Sequence, residues 1–154
     1  MNNEQKSLGW MLWMAVLVLC LSMTAGSAQT ATLKLEAQLL WGTNDGTSPN
    51  PKHKPVGPEI RKKLKELPLK WTNYFEENRK SFDVAEGGAN KVSLSDRCEV
   101  EVRNLGGNKI EVTHFGKGEK VVKQTQTLPK GELLVLGGNA PNSTAWLVVL
   151  KHAE

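Results

Sequence analysis

The sequence predicts a mainly β protein: a small antiparallel β-sandwich or barrel-like domain of about eight short strands with one short helix, behind an N-terminal signal peptide. Three observations carry this expectation. Apolar and polar residues alternate in several separate stretches. Clusters of glycine, proline and asparagine break the chain at spacings of roughly 8–12 residues. A charge-free apolar run lies within the first 28 residues.

That run is Leu8–Met23, LGWMLWMAVLVLCLSM. It follows the polar Met1–Ser7, which contains Lys6, and precedes Thr24-Ala25-Gly26-Ser27-Ala28. Gly26 and Ala28 stand where a signal peptidase needs small side chains. The pattern predicts a signal peptide over 1–28 and a single β-rich domain over 29–154, beginning at Gln29 and working outside the cytoplasm, periplasmic or secreted. Glu4 is atypical of a signal's first region, so a retained membrane anchor is the alternative, although the run falls short of the roughly 20 residues of a comfortable span. Cys20 follows Leu19, where a lipid-attachment site would carry Gly or Ala.

The formal net charge is +4. Residues 1–28 hold one acid and one base, Glu4 and Lys6, so the remaining domain keeps that charge. A mild basic excess slightly favours anionic surfaces. It lacks the concentrated patch of a nucleic-acid binder. With Cys20 removed, Cys98 has no intramolecular partner, and the fold must rest on its hydrophobic core. A domain of about 126 residues can bury well over half of its unfolded surface.

Thr32–Trp41 alternates Leu33, Leu35, Ala37 and Leu39 with Lys34, Glu36 and Gln38, the period of a strand with one buried face. Gly42–Gly46 is a cluster of turn formers. Thr47–Val56 (TSPNPKHKPV) has three prolines and two lysines and reads as a stiff exposed loop without regular structure. Pro58 suits the first position of a helix over Pro58–Leu67, with Ile60, Leu64 and Leu67 on one face and Pro68 as its stop. The Pro/Lys-rich loop and this helix make 47–67 an insertion in the β pattern.

Leu69–Phe75 and Arg79–Val84 read as two extended stretches, and Ala85–Asn90 as a turn before a short strand at Lys91–Ser95. Cys98–Asn104 and Lys109–Phe115 alternate around the Gly106-Gly107-Asn108 turn. Gly116–Glu119 is a tight turn, and Lys120–Leu128 is polar enough for an edge strand. Glu132–Gly137 and Ala145–Lys151, joined by Gly138–Thr144, are nearly continuous apolar runs, which predicts central strands covered on both faces.

The catalytic kits are missing. There is no HExxH, Cys-x-x-Cys or Gly-x-Ser-x-Gly, and His53, His114 and His152 fall on separate elements without the ligand spacing of a zinc site. No catalytic residue, metal or cofactor is therefore assigned. Cys98 and His114 come close if the hairpin through Gly106-Gly107 is regular, and could in principle be nucleophile and base. Their alternation with Val100, Val102, Ile110 and Val112 marks them instead as core. Asn44–Ser48 has a single carboxylate, Asp45, too few for calcium. Asn142-Ser143-Thr144 fits a glycosylation acceptor.

Trp41, Trp71 and Tyr74 can line a binding face, since aromatic side chains supply large rigid contact area. Lys52 and Lys54, with the helix that follows, form the most basic stretch and can meet an acidic protein or an anionic envelope polymer. The leading reading is an exported, non-enzymatic β domain for binding or envelope assembly, using Trp41, Trp71, Tyr74, Lys52 and Lys54. Two others stand beside it. One is a small extracytoplasmic enzyme built from scattered residues such as Cys98, His114, Asp45 and Asp96. The other is a membrane-anchored structural protein that keeps Leu8–Met23.

Overall fold

The computed structural model describes residues 31–140 and 143–153. The expected signal peptide over 1–28, the Gln29 terminus and Asn142 lie outside the described residues.

The alternation of Thr32–Thr43 (β1) organises the larger sheet. Leu33, Leu35, Ala37 and Leu39 are buried on one face and Leu40 on the other. β1 pairs with Asn73–Ala85 (β3) on one side and Thr144–His152 (β9) on the other. Lys54–Pro55 (β2) adds to β3 and Leu133–Ala140 (β8) to β9, giving the order β2-β3-β1-β9-β8. The second sheet is a meander of Ala89–Ser95 (β4), Cys98–Asn104 (β5), Lys109–Gly116 (β6) and Glu119–Thr127 (β7). At the β6–β7 turn Lys117 and Gly118 both take positive φ, 52° and 81°. Two such residues in succession match the right-handed twist of the flanking strands, and glycine adopts the second without steric cost.

All named strands pair antiparallel, and the two sheets face each other without closing into a barrel, as a β-sandwich would. Between them lie Leu33, Leu35, Leu39, Phe82, Val84, Val148 and Leu150 from the five-stranded sheet. Leu94, Val100, Val102, Ile110 and Val112 face them from the meander. Burying one such side chain stabilises by about 1.5–3 kcal/mol. Polar ties bind the ends of this core. Asn104, 1% exposed, donates from Nδ2 to the carbonyls of Val84 (3.0 Å) and Ala31 (3.3 Å) and accepts the Gly106 N–H at 2.9 Å. His152 donates from Nδ1 to the Leu128 carbonyl at 2.8 Å; a carbonyl only accepts, so this nitrogen carries the proton.

The outer face of the five-stranded sheet is covered too. Helix α1 (Pro58–Lys65) has Pro58 in its first turn and buries Ile60 and Leu64. With Val56 and Tyr74 they pack on Leu40, Ala145, Leu147 and Val149. The 47–67 insertion is therefore the second wall of this sheet. The outer face of the meander carries ion pairs instead, Lys91–Glu99 at 2.7 Å and Lys123–Glu111 at 2.9 Å.

Four expectations change. The 47–56 loop is not wholly irregular: Lys54 and Pro55 pair with Glu76 and Phe75 at the sheet edge, where proline's missing N–H can face solvent. Leu69–Phe75 and Arg79–Val84 are not two strands. A single β3 runs from Asn73 to Ala85, and a bulge leaves Glu77 without a partner on β1. Apolar residues on both faces do not make β8 central. It is an outer strand, with Leu134 and Leu136 in the inner core and Leu133 and Val135 against the helix-side cluster. Lastly, the helix ends at Lys65, before Leu67.

Candidate functional site

The three tryptophans beyond the N-terminal apolar run, Trp41, Trp71 and Trp146, converge on one end of the five-stranded sheet. Register sets this directly. Trp41 stands opposite Trp146 on β9 and opposite Phe75 on β3, so the three side chains leave the same face in a row across adjacent strands. Trp41 and Trp146 meet edge to face, with ring centroids 4.6 Å apart and planes at 62°. Trp146 is 37% exposed, one of the few large apolar side chains among the described residues that face solvent. The indole N–H of Trp41 is buried without a hydrogen-bond acceptor.

Trp71 and Tyr74 lie on the opposite face of the sheet, so the aromatic set expected from sequence is divided between two surfaces. Gly42, next to Trp41, allows the approach: a Cβ there would meet Tyr74 Cε1 at 3.3 Å and Trp71 Cγ at 3.5 Å. Tyr74 is buried and donates its hydroxyl to the Trp71 carbonyl at 2.8 Å. Trp71 donates its indole N–H to the Ser143 carbonyl at 2.7 Å. It also lines a cleft of about 330 Å³ with Pro68, Leu69, Lys70, Gly137, Gly138 and Leu147. Lys52 and Lys54 are exposed on the loop before α1. Asn44 and Asp45, just after β1, tie the start of that loop to the residues that open β3: Asn44 Oδ1 accepts the Thr72 N–H at 3.1 Å, and the Asp45 carbonyl accepts from Asn73 Nδ2 at 3.0 Å.

Cys98 and His114 do meet, with Sγ and Nε2 3.4 Å apart. Cys98 pairs with Gly116 and Val100 with His114, which places the two side chains diagonally on the inner face of the meander. Burial, with the charges of Glu77 and Glu99, pushes the Cys98 thiol up to about 11. Burial also pushes His114 below its ordinary value. Both shifts favour neutral partners, the reverse of a thiolate–imidazolium nucleophile. Asp96 is exposed in the β4–β5 turn beside Arg97, and Asp45 belongs to the loop just described. His53, His114 and His152 occupy three different elements, and among the described residues no three potential ligands cluster for a metal.

Trp146 was missed in the sequence, and Phe75, legible as part of an aromatic-rich stretch, was not placed beside Trp41. The run Ala145–Lys151 is apolar on both faces and carries no period that marks one residue as exposed. The polar Glu76-Glu77-Asn78 reads as a break, which hides the register that brings Phe75 to Trp41. The chain matches no family model, no curated protein and no solved structure. The described residues contain no helix long and apolar enough to cross a membrane.

Proposed function

We propose that the protein is an exported, non-enzymatic binding or envelope-assembly module of β-sandwich type, and that its contact surface is the tryptophan-bearing end of the five-stranded sheet. The stacked pair Trp41 and Trp146, with Trp71 on the opposite face of the same end of the sheet, carries this reading. Tryptophan is costly to leave in water and is enriched where partners dock. Trp146 presents part of its ring to solvent, held in place by its edge-to-face contact with Trp41. Lys70 beside Trp71, with Lys52 and Lys54 on the neighbouring loop, adds positive charge. The partner is an extracytoplasmic protein or an anionic envelope polymer. The neutral state favoured for both Cys98 and His114 supports binding over catalysis. The apolar run Leu8–Met23 and the Gly26/Ala28 pair support export, with the exported chain starting at Gln29.

The test is retention of the exported protein on isolated envelope fractions, with Trp146→Ala as the variant. Trp146 is 37% exposed and stacks on Trp41, so its loss should lower the melting temperature by some degrees while the domain still folds, and at a temperature where both proteins are folded it should remove most of the retention. An anionic polymer partner would also release the protein as salt rises, because exposed charges are screened beyond about 8–10 Å at physiological ionic strength. Equal retention of Trp146→Ala and wild type would sink the assignment of this surface. An intact N-terminus, by mass spectrometry of the exported protein, would sink the signal-peptide reading.

A further inference from the structure

Of the four outer strands that end the two sheets, three carry features that discourage pairing with another chain. β2 is two residues long, and Pro55 has no N–H to offer. β4 is tied to β3, where Asn78 Nδ2 donates to the Leu94 carbonyl at 2.6 Å. β7 carries Lys120 and Lys123. β8 has none of these: Leu133–Ala140, LLVLGGNA, holds no charge and no proline. Among the described residues no loop backbone bonds to it.

The groups left free on this edge follow from the ladder. The His152 N–H donates to the Glu132 carbonyl at 3.3 Å. Inter-strand bonds recur at every second residue, so Leu134, Leu136 and Gly138 bond β9, while the N–H and C=O of Leu133, Val135, Gly137 and Asn139 point outward. A second copy of the same strand fits them. In an antiparallel pairing centred on Val135, Leu133 of each copy stands opposite Gly137 of the other, and both bond through their outward groups. Leu133 packs on the helix-side cluster, and a Cβ on Gly137 would point to Leu147 of that same cluster, so the two share a face. Gly137 also lines the cleft of about 330 Å³ beside Trp71. The side chain that glycine lacks leaves room for the second copy's Leu133. Charge agrees as well. Glu132 lies on the helix side, 4.0 Å from Lys63 and with its side chain 57% exposed. Lys70 stands beside Gly137 and Gly138 in the cleft. In this register Glu132 of each copy stands opposite Gly138 of the other, and so meets its Lys70.

We propose that β8 is a self-recognition edge: two copies of this chain join their five-stranded sheets into one through an antiparallel β8–β8 ladder, with the two-fold axis at Val135. The inference does not rest on the tryptophan surface, and its test needs no envelope fraction. The exported protein, in reducing buffer, is sedimented at concentrations from about 1 µM to about 1 mM, the range in which weak interfaces associate. Its mass should rise from one chain to two. Amide hydrogen exchange, read by NMR, should slow at least about tenfold at Leu133, Val135, Gly137 and Asn139 between the low and high ends of that range. Glu132→Lys sets lysine against lysine at two symmetric places and should weaken the dimer about tenfold, and adding Lys70→Glu should restore it to within about threefold. Gly137→Pro removes an outward N–H that the β8–β9 ladder does not use, and should leave a monomer throughout. The charge pair, on exposed side chains, decides alone if Gly137→Pro does not fold. A monomer at every concentration overturns the inference. So does a dimer in which those outward amides exchange as in the monomer, or a double variant that associates no better than Glu132→Lys alone.

Discussion

Cys98 and His114 show how one environment disarms two reactive groups. Cys98 is 7% exposed and its thiol is held up to about 11, so almost no thiolate exists near neutral pH. Labelling by a thiol reagent should be slow in the folded protein and fast after denaturation, and Cys98→Ala should cost about 1 kcal/mol, as a small buried truncation does. Fast native labelling at neutral pH would contradict this. His114 gives a pH signature of opposite hand. Its folded pKa lies below the unfolded value of 6.5 because burial disfavours the charged ring. The unfolded chain therefore binds the proton more readily, and stability is present above pH 6.5 and lost as pH falls through the depressed folded value. Urea melts should show this loss in wild type, and His114→Gln should flatten it over the same interval. An unchanged slope in the variant would assign the acid sensitivity to other groups.

At the scale of elements, period-two patterning was legible wherever one face is buried and the other wet. The stretch Cys98–Asn104 shows this: Val100 is fully buried, while Glu101 points to the outer face opposite Lys91 and Thr113. Val100→Asp should prevent folding, since an unpaired buried charge costs many kcal/mol or forces protonation. Glu101→Lys should cost only some tenths of a kcal/mol from the new lysine facing Lys91. Thermal melts compare the two, and similar midpoints would mean that the observed register is wrong. The pattern failed where neither face or both faces are apolar. Glu76-Glu77-Asn78 breaks the alternation of β3, yet the chain stays extended there because a bulge absorbs Glu77, and Asn78 Nδ2 donates to the Leu94 carbonyl of β4 at 2.6 Å. β8 and β9 are both apolar runs, and composition cannot tell the inner strand from the outer one. The same blindness hid half of the candidate site. Trp41 was readable as an aromatic at a strand end, but its pairing with Trp146, more than 100 residues on, is a property of the β1–β9 register alone. Gln38, alternating with Leu39 in the sequence, reads as a solvent-facing residue. It is buried on the face of the central strand where the 47–67 insertion docks, between Arg79 of β3 and Val149 of β9.

That docking ties the whole molecule together, because the two hydrophobic clusters share their central strands. β1 gives Leu33, Leu35, Ala37 and Leu39 to the core between the sheets and Leu40 to the core under the helix. β9 gives Val148 and Leu150 to the first and Leu147 and Val149 to the second. Neither cluster can melt without exposing the back of strands that the other needs, so unfolding should be a single cooperative transition. Leu64, 1% exposed in α1, touches only the helix-side cluster and is the lever that tests this. Leu64→Ala should cost about 2–5 kcal/mol, the range for a large buried truncation. If the clusters are coupled, that loss lowers the urea midpoint of the entire domain. Tryptophan fluorescence, weighted to the Trp41–Trp71–Trp146 end, and far-ultraviolet circular dichroism, which reports all strands, should then move together in both proteins with an unchanged slope. Should the fluorescence transition of Leu64→Ala precede the dichroism transition, or the slope fall, the helix-side layer unfolds on its own and the meander core stands without it.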